Sequence, residues 1–284
     1  MTNMANKAQG LGLAFITKLA GSDLLDQFKL RGLIEKSLYQ GSKAGFKTLT
    51  ATQKVFKSNQ NNAKQRLPHQ EKSLFDLSLT EEQQMTADAM NQFGLKVLYP
   101  LAHDADHHEK FPAELWKHSS DLGLNYYALP ESFGGVASEK NIISNILIAE
   151  NLAQGDFSLT AGLLSTFSVI NAITQWGYES VQNKYLSSIS EDPDIQATFA
   201  IQEATPAFNP FQLKTKATHS NGQFTLQGEK TLVVLGETAD LILVNAEYNG
   251  KPDLFIVKRN STIRFKKSPA MGLKATETVN LIFD

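Results

Sequence analysis

The densest group of side chains able to do chemistry is His103-Asp-Ala-Asp-His-His108. On a helix, His103 and His107 stand one turn apart on the same face, a spacing at which two imidazoles can share a zinc ion. No third ligand follows at a suitable spacing. The run therefore reads as a polar, solvated helix end ahead of Phe111-Pro112, and no metal is expected. Self-contained catalytic motifs are absent. The chain has no Gly-x-x-x-x-Gly-Lys-Ser/Thr phosphate loop, no Gly-x-Gly-x-x-Gly after a strand, no His-Glu-x-x-His helix and no Gly-x-Ser-x-Gly elbow. There are no cysteines. That removes thiolate nucleophiles, disulfides and Cys-based metal sites, and it suits a reducing, cytoplasmic location.

With 284 residues, 42% hydrophobic and 20% charged, the chain has material for about two domains. A net charge of −2 gives no overall attraction to nucleic acid, and none is expected as a partner. The average conceals an asymmetry. Residues 1–66 carry eleven Lys/Arg against Asp23, Asp26 and Glu35, a net of +8, which leaves −10 on the remainder. Two roles for this basic leader stay open. It is either an interfacial arm making peripheral contact with anionic lipid at the inner face of the membrane, or an arm packed against its own acidic body or a twin subunit. No apolar run approaches the ~18–20 residues of a spanning helix.

Three stretches must position any site. Residues 1–72 read as a basic amphipathic helical extension ending in a polar linker, Ser58 to Arg66. Residues 73–196 read as a helical domain. Thr80 before Glu81, Glu82 and Gln83 is N-cap chemistry; Ala87, Met90, Gly94 and Val97 share a face; a helix from Pro112 is closed by Gly123. Asn141–Leu152 carries a helical stripe, and Ser158–Trp176 is apolar on several sides, as a buried helix is. Tyr178–Ile189 is a further helix before the Glu191-Asp-Pro-Asp194 break. From 197 to 284 the period changes to strands. Leu213, Thr215 and Ala217 alternate with lysines, Asn221-Gly222 and Asn249-Gly250 are hairpin turns, and 241–244, 254–257 and 279–283 are strand runs. The fold class is α+β: an all-helical domain followed by an antiparallel, barrel-like β domain.

Four islands in order resemble the acyl-CoA dehydrogenase family. They are Leu122-Gly-Leu-Asn-Tyr-Tyr-Ala-Leu-Pro-Glu-Ser-Phe-Gly-Gly135, similar to a strand-like segment entering Pro-Glu-x-x-Gly-Gly; Trp176 to Leu186, with Lys184-Tyr185-Leu186; Phe199-Ala-Ile-Gln-Glu203 through Ala217, continuing to Leu226-Gln-Gly-Glu-Lys230 and Ala239-Asp240; and Met271-Gly-Leu-Lys-Ala-Thr-Glu-Thr278. Each alone is weak, but their joint order across 75–284 carries the resemblance.

The resemblance implies FAD as cofactor, a fatty acyl-CoA as substrate, α,β-dehydrogenation as the reaction, an electron-transferring flavoprotein as electron acceptor, and a homo-oligomer when full length. It also implies that the catalytic base is a glutamate in a C-terminal helical domain beyond Asp284, so no catalytic residue is expected here and these residues alone are expected to be inactive. The alternatives are a non-catalytic interaction protein on the same fold, or an oxidase- or monooxygenase-like flavoenzyme. Matched to the family pattern, Phe199, Ile201, Gln202, Leu232, Val233 and Val234 fall where the flavin is held, and Phe208 where substrate is met. This sequence departs from the pattern at several of these places. Gln202 stands where threonine is common, Phe208 where serine is usual, and Leu232-Val233-Val234 where Trp-Ile-Thr is frequent. Thr205-Pro-Ala-Phe-Asn-Pro-Phe211 replaces a glycine-rich loop with a stiffer one.

Overall fold

A computed structural model describes residues 78–137, 142–260 and 262–284. The leader and its polar linker lie outside the described residues. Among the described residues, six α-helices precede the strands: α1 Glu81–Phe93, α2 Tyr99–His108, α3 Glu114–Leu122, α4 Ile142–Ala153, α5 Phe157–Trp176 and α6 Glu179–Glu191, with a π-helical turn, Gly94–Leu98, joining the first two. The start of α1 is a capping box. Thr80 Oγ1 accepts from the Gln83 amide at 3.1 Å, and Gln83 Oε1 accepts from the Thr80 amide at 3.1 Å. Helix α3 stops at Gly123, whose φ of 74° is one a side chain resists. The strand-like segment read ahead of Pro130-Glu131 is instead a 3-10 turn over Leu124–Tyr127, because the Tyr126 amide donates back to the Gly123 carbonyl at 3.0 Å. Leu124 and Tyr126 are still both buried.

The helices are held by apolar burial. Met90 and Phe93 of α1, Ile148 and Leu152 of α4, and Leu159, Leu163, Phe167 and Ile170 of α5 form one buried cluster, each side chain contributing about 1.5–3 kcal/mol on leaving water. Against the reading that no apolar run approaches a spanning length, helix α5 has the length and apolarity of a membrane span, yet 61% of its apolar window is buried inside the protein. It is the core helix of this layer.

Seven strands follow: β1 Ala197–Ala200, β2 Lys216–Ser220, β3 Gln223–Val233, β4 Leu241–Tyr248, β5 Lys251–Lys258, β6 Arg264–Lys267 and β7 Val279–Phe283. Both turn signals operate. Asn221 and Gly222, at φ 51° and 76°, and Asn249 and Gly250, at 52° and 77°, supply the two positive angles of tight hairpins. The hairpins β2–β3 and β4–β5 and the pairs β3–β7 and β6–β7 are antiparallel. Strands β1 and β4, however, pair in parallel, Ala197 beside Leu241 through Ala200 beside Val244. The sheet is therefore mixed, in the order β1-β4-β2-β3-β7-β6 with β5 on β4. The chain returns to β1 only after the β2–β3 hairpin, and such a crossover makes a parallel neighbour. Alternation along β4 sends Leu241 and Leu243 into the helical cluster, while Ile242 and Val244 join a second core with Val233, Leu281 and Phe283. Helices and one face of the sheet thus share the first core, and the second core belongs to the sheet alone.

Candidate functional site

Where α5 crosses the start of the sheet, a hollow of about 370 Å³ opens. Helix α5 lines it with Ala161, Leu164, Ser165 and Ser168, residues spaced three and four apart that fall on one helical face. Opposite stand Thr198, Phe199, Ile201 and Gln202 from β1 and its exit, and Thr231, Leu232 and Val234 from β3 and its exit. Five of the seven residues read from the sequence, Phe199, Ile201, Gln202, Leu232 and Val234, thus come together around one hollow. Val233 and Phe208 are not among its lining residues.

Val233 is separated by strand geometry. Lys230 pairs with Leu281 and Val233 with Val279, so β3 carries one residue more than β7 across the interval, which is a bulge. Leu232 absorbs it with a φ of 56° and is left half exposed at the rim, while Val233 is fully buried in the second core. Phe208 lies half-buried in the loop after β1, beyond Ala207, whose φ is 50°.

Behind the wall formed by Ile201 and Gln202 sits a buried ion pair. Lys230 is fully buried, and its Nζ donates to Glu203 Oε1 at 2.9 Å, to Asn245 Oδ1 at 2.6 Å and to the Ile201 carbonyl at 3.2 Å. The Glu203 carboxylate accepts the amides of Lys214 at 2.8 Å and Thr215 at 2.9 Å. Burial opposes ionisation of Glu203, but the bonds from Lys230 and from these two amides outweigh it and hold the carboxyl at about 2, below its ordinary 4.5. Burial also draws the Lys230 ammonium below its usual range, with Glu203 acting the other way. Gly228 permits the approach. At its φ of 144°, a Cβ would stand 2.7 Å from the Thr215 Cα. The Thr231 amide then fixes the Gln202 carbonyl at 2.7 Å. Sequence reasoning quoted Glu203 and Lys230 as markers of a resemblance but missed their pairing. A lysine inside a strand that continues into a buried valine was the available signal.

None of the lining side chains titrates near neutral pH, so the hollow itself can bind, orient and exclude water but not exchange protons. Its apolar walls suit the faces of a planar ring and its polar rim suits the ring's edge, within the size range of small-molecule sites, roughly 300–1,000 Å³. The residues present fit an isoalloxazine. The histidine run stays a helix end: the His103 and His107 rings are 6.5 Å apart, and His108 Nδ1 faces the Asp104 carbonyl at 2.8 Å. Among the described residues, no group of three or more His, Cys, Asp or Glu is placed to hold a metal ion.

Comparison with known proteins agrees with this architecture. Residues 80–192 match the family model described as acyl-CoA dehydrogenase, N-terminal domain. The short-chain-specific acyl-CoA dehydrogenase of Megasphaera elsdenii is 30% identical over 219 residues, covering 73% of this chain and 57% of the relative. The solved structure of butyryl-CoA dehydrogenase from the same organism superposes with a TM-score of 0.66 at 28% identity, over 74% of this chain and 57% of that one. A glutaryl-CoA dehydrogenase from Mycobacterium smegmatis in complex with FADH2, at 24% identity and TM-score 0.64 over 72% of this chain and 53% of that one, shares the fold. The chain spans little more than half the length of these relatives.

Proposed function

We propose, from the match of residues 80–192 to the acyl-CoA dehydrogenase N-terminal domain and the likeness of the helices and sheet to the butyryl-CoA dehydrogenase fold, that the protein is a FAD-dependent enzyme that introduces an α,β double bond into a fatty acyl-CoA. The observation that carries the reading is the hollow between α5 and the strands. It gathers Phe199, Ile201, Gln202, Leu232 and Val234, which the sequence resemblance had assigned to the flavin independently of any coordinates. Bound flavin supplies the hydride acceptor. The chain's own residues do the rest of what this half can do. Phe199, Ile201, Leu164 and Val234 offer apolar surface that excludes water from the ring faces. Thr198, whose hydroxyl donates to the Val234 carbonyl at 2.7 Å, ties β1 to β3 and keeps the two walls in register. The proton acceptor is supplied from outside the hollow, which contains no ionisable side chain.

Electrons pass, on this reading, to an electron-transferring flavoprotein, and Phe208 meets the acyl chain. In a cytoplasmic protein, the net +8 on residues 1–66 against −10 on the remainder favours attraction of the leader to an acidic protein surface over attraction to anionic lipid. Vesicle co-sedimentation at low and high salt tests that assignment, and salt-sensitive pelleting with anionic lipid overturns it. The main test is turnover by the complete protein with saturated acyl-CoAs of graded length and an artificial electron acceptor. The reading expects enoyl-CoA formation with a chain-length optimum. Flavin-loaded protein that reduces the acceptor with none of the series would remove the dehydrogenase assignment.

A further inference from the structure

The histidines at the end of α2 take no part in the hollow or in its proposed chemistry. His103, His107 and His108 are all exposed in the last two turns of that helix. The rings of His103 and His107 lie nearly parallel, with 14° between planes and 6.5 Å between centroids, on the single helical face that residues i and i+4 share. His108 is placed differently: its ring stands edge-on to that of His107, at 85°, and its Nδ1 meets the Asp104 carbonyl at 2.8 Å. Among the described residues, no hydrogen bond or ion pair engages a ring nitrogen of His103 or His107. Two features favour a cation there. The carbonyl end of a helix carries about half a negative charge, and the exposed Asp104 and Asp106 lie between the two histidines in sequence. Imidazole nitrogen suits Cu2+, Ni2+ and Zn2+, whereas Mg2+ and Ca2+ take oxygen. Exposed rings on one face can turn until two nitrogens stand about 2.0–2.1 Å from a shared ion. A closed structural site needs four protein ligands; a surface clamp needs two, with water in the other positions.

We propose that His103 and His107 form a two-imidazole clamp for a divalent transition-metal ion, Cu2+ held most tightly and Zn2+ less so. The clamp is independent of the flavin reading. An ion held there bridges residues one turn apart and stiffens the end of a helix that the sheet already grips. Glu109, the C-cap of α2, reaches Lys267 of β6 at 2.9 Å and Lys274 at 3.8 Å, and the Phe111 amide donates to Glu277 Oε2 at 3.0 Å. The chain has no cysteine, so no thiolate of its own competes for the ion.

The test is calorimetric titration of the complete protein with Cu2+, Zn2+ and Mg2+, wild type against His103→Ala, His107→Ala, His108→Ala and His219→Ala, together with the thermal midpoint with and without Zn2+. All four histidines are exposed, so the substitutions leave the fold intact. Wild type is expected to show a Cu2+ site that His103→Ala and His107→Ala each weaken about tenfold or more, while His108→Ala and His219→Ala keep it. Zn2+ should raise the midpoint of wild type and not that of His107→Ala, because the ion binds the folded helix. Mg2+ should not occupy the site. Cu2+ binding unchanged in His103→Ala and His107→Ala would overturn the clamp, as would equal weakening by His108→Ala, which marks a diffuse histidine-rich run. A Cu2+ Kd weaker than about 1 mM would mean an adventitious ion only and would overturn it too.

Discussion

Replacing Lys230 by methionine isolates the ion pair behind the wall, because the two side chains are similar in length and volume and little cavity is created. Lys230 is fully buried and Glu203 is 3% exposed, so solvent screening does not soften the loss. The variant takes the Lys230 donor from Asn245 Oδ1 and the Ile201 carbonyl and leaves Glu203 with its bonds from Lys214 and Thr215. Breaking a buried pair from one side costs about 3–5 kcal/mol. In a chain of this size each kcal/mol lowers Tm by roughly 2–4 °C, so the midpoint should fall by roughly 6–20 °C. The acid limb should move as well. Glu203 is held at about 2 against an ordinary 4.5, and a depressed carboxyl adds stability that is complete above the unfolded value and fades as pH falls from about 4.5 toward 2. Without Lys230 that carboxyl protonates at higher pH, and acid unfolding should begin earlier. The assay is thermal unfolding by circular dichroism from pH 7 to pH 3, on Lys230→Met, Glu203→Gln and the double variant. The double variant should lose clearly less than the sum of the singles, because it removes both charges together. Additive effects, or a Lys230→Met midpoint within about 2 °C of wild type, would refute the reasoning.

Three further outcomes follow from the packing. Gly155→Ala puts a Cβ 2.1 Å from the Gly94 carbonyl oxygen, and since backbone must shift, the cost should reach the upper end of the ~1–3 kcal/mol of overpacking, read as a lower chemical-denaturation midpoint. Thr80→Ala removes the Oγ1 that accepts the Gln83 amide and keeps the bond from the Thr80 amide to Gln83 Oε1; it should cost about 1 kcal/mol by the same measurement, whereas Thr80→Ser should restore most of it. Val234→Thr adds a hydroxyl to the hollow's wall and should tighten FAD binding by the about 0.5–1.5 kcal/mol of one net hydrogen bond, measured by flavin titration; weaker binding at unchanged Tm contradicts it.

The helices were legible because their signals are local. Thr80, Gly123 and the stripe over α4 mark starts, stops and faces within one turn of the residues they govern. The hairpins announced themselves through Asn221-Gly222 and Asn249-Gly250. What sequence left hidden depends on distant pairing. The parallel β1–β4 contact joins residues more than forty positions apart, and no local period encodes strand order. The segment 124–127 alternates in burial as a strand does, but Gly123 closes it into a 3-10 turn instead. At the site, five residues were placed together by motif. Val233 parts from its neighbours because the bulge at Leu232 resets which face each residue takes. The contribution of α5 to the hollow was invisible, since Ser158–Trp176 reads as apolar on several sides and no local signal sets Ala161, Ser165 and Ser168 apart from its buried faces.

The account stands on flavin occupying the space between α5 and the strands. Ala161 lines that space and is half-buried, so Ala161→Trp fills it from the helix side. Flavin content and FAD titration of the purified complete protein, with and without this substitution, measure the claim directly. Wild type should carry or take up FAD and show its visible absorbance, while Ala161→Trp, with the same far-ultraviolet circular dichroism, should remain colourless. Equal FAD uptake by both would contradict the account.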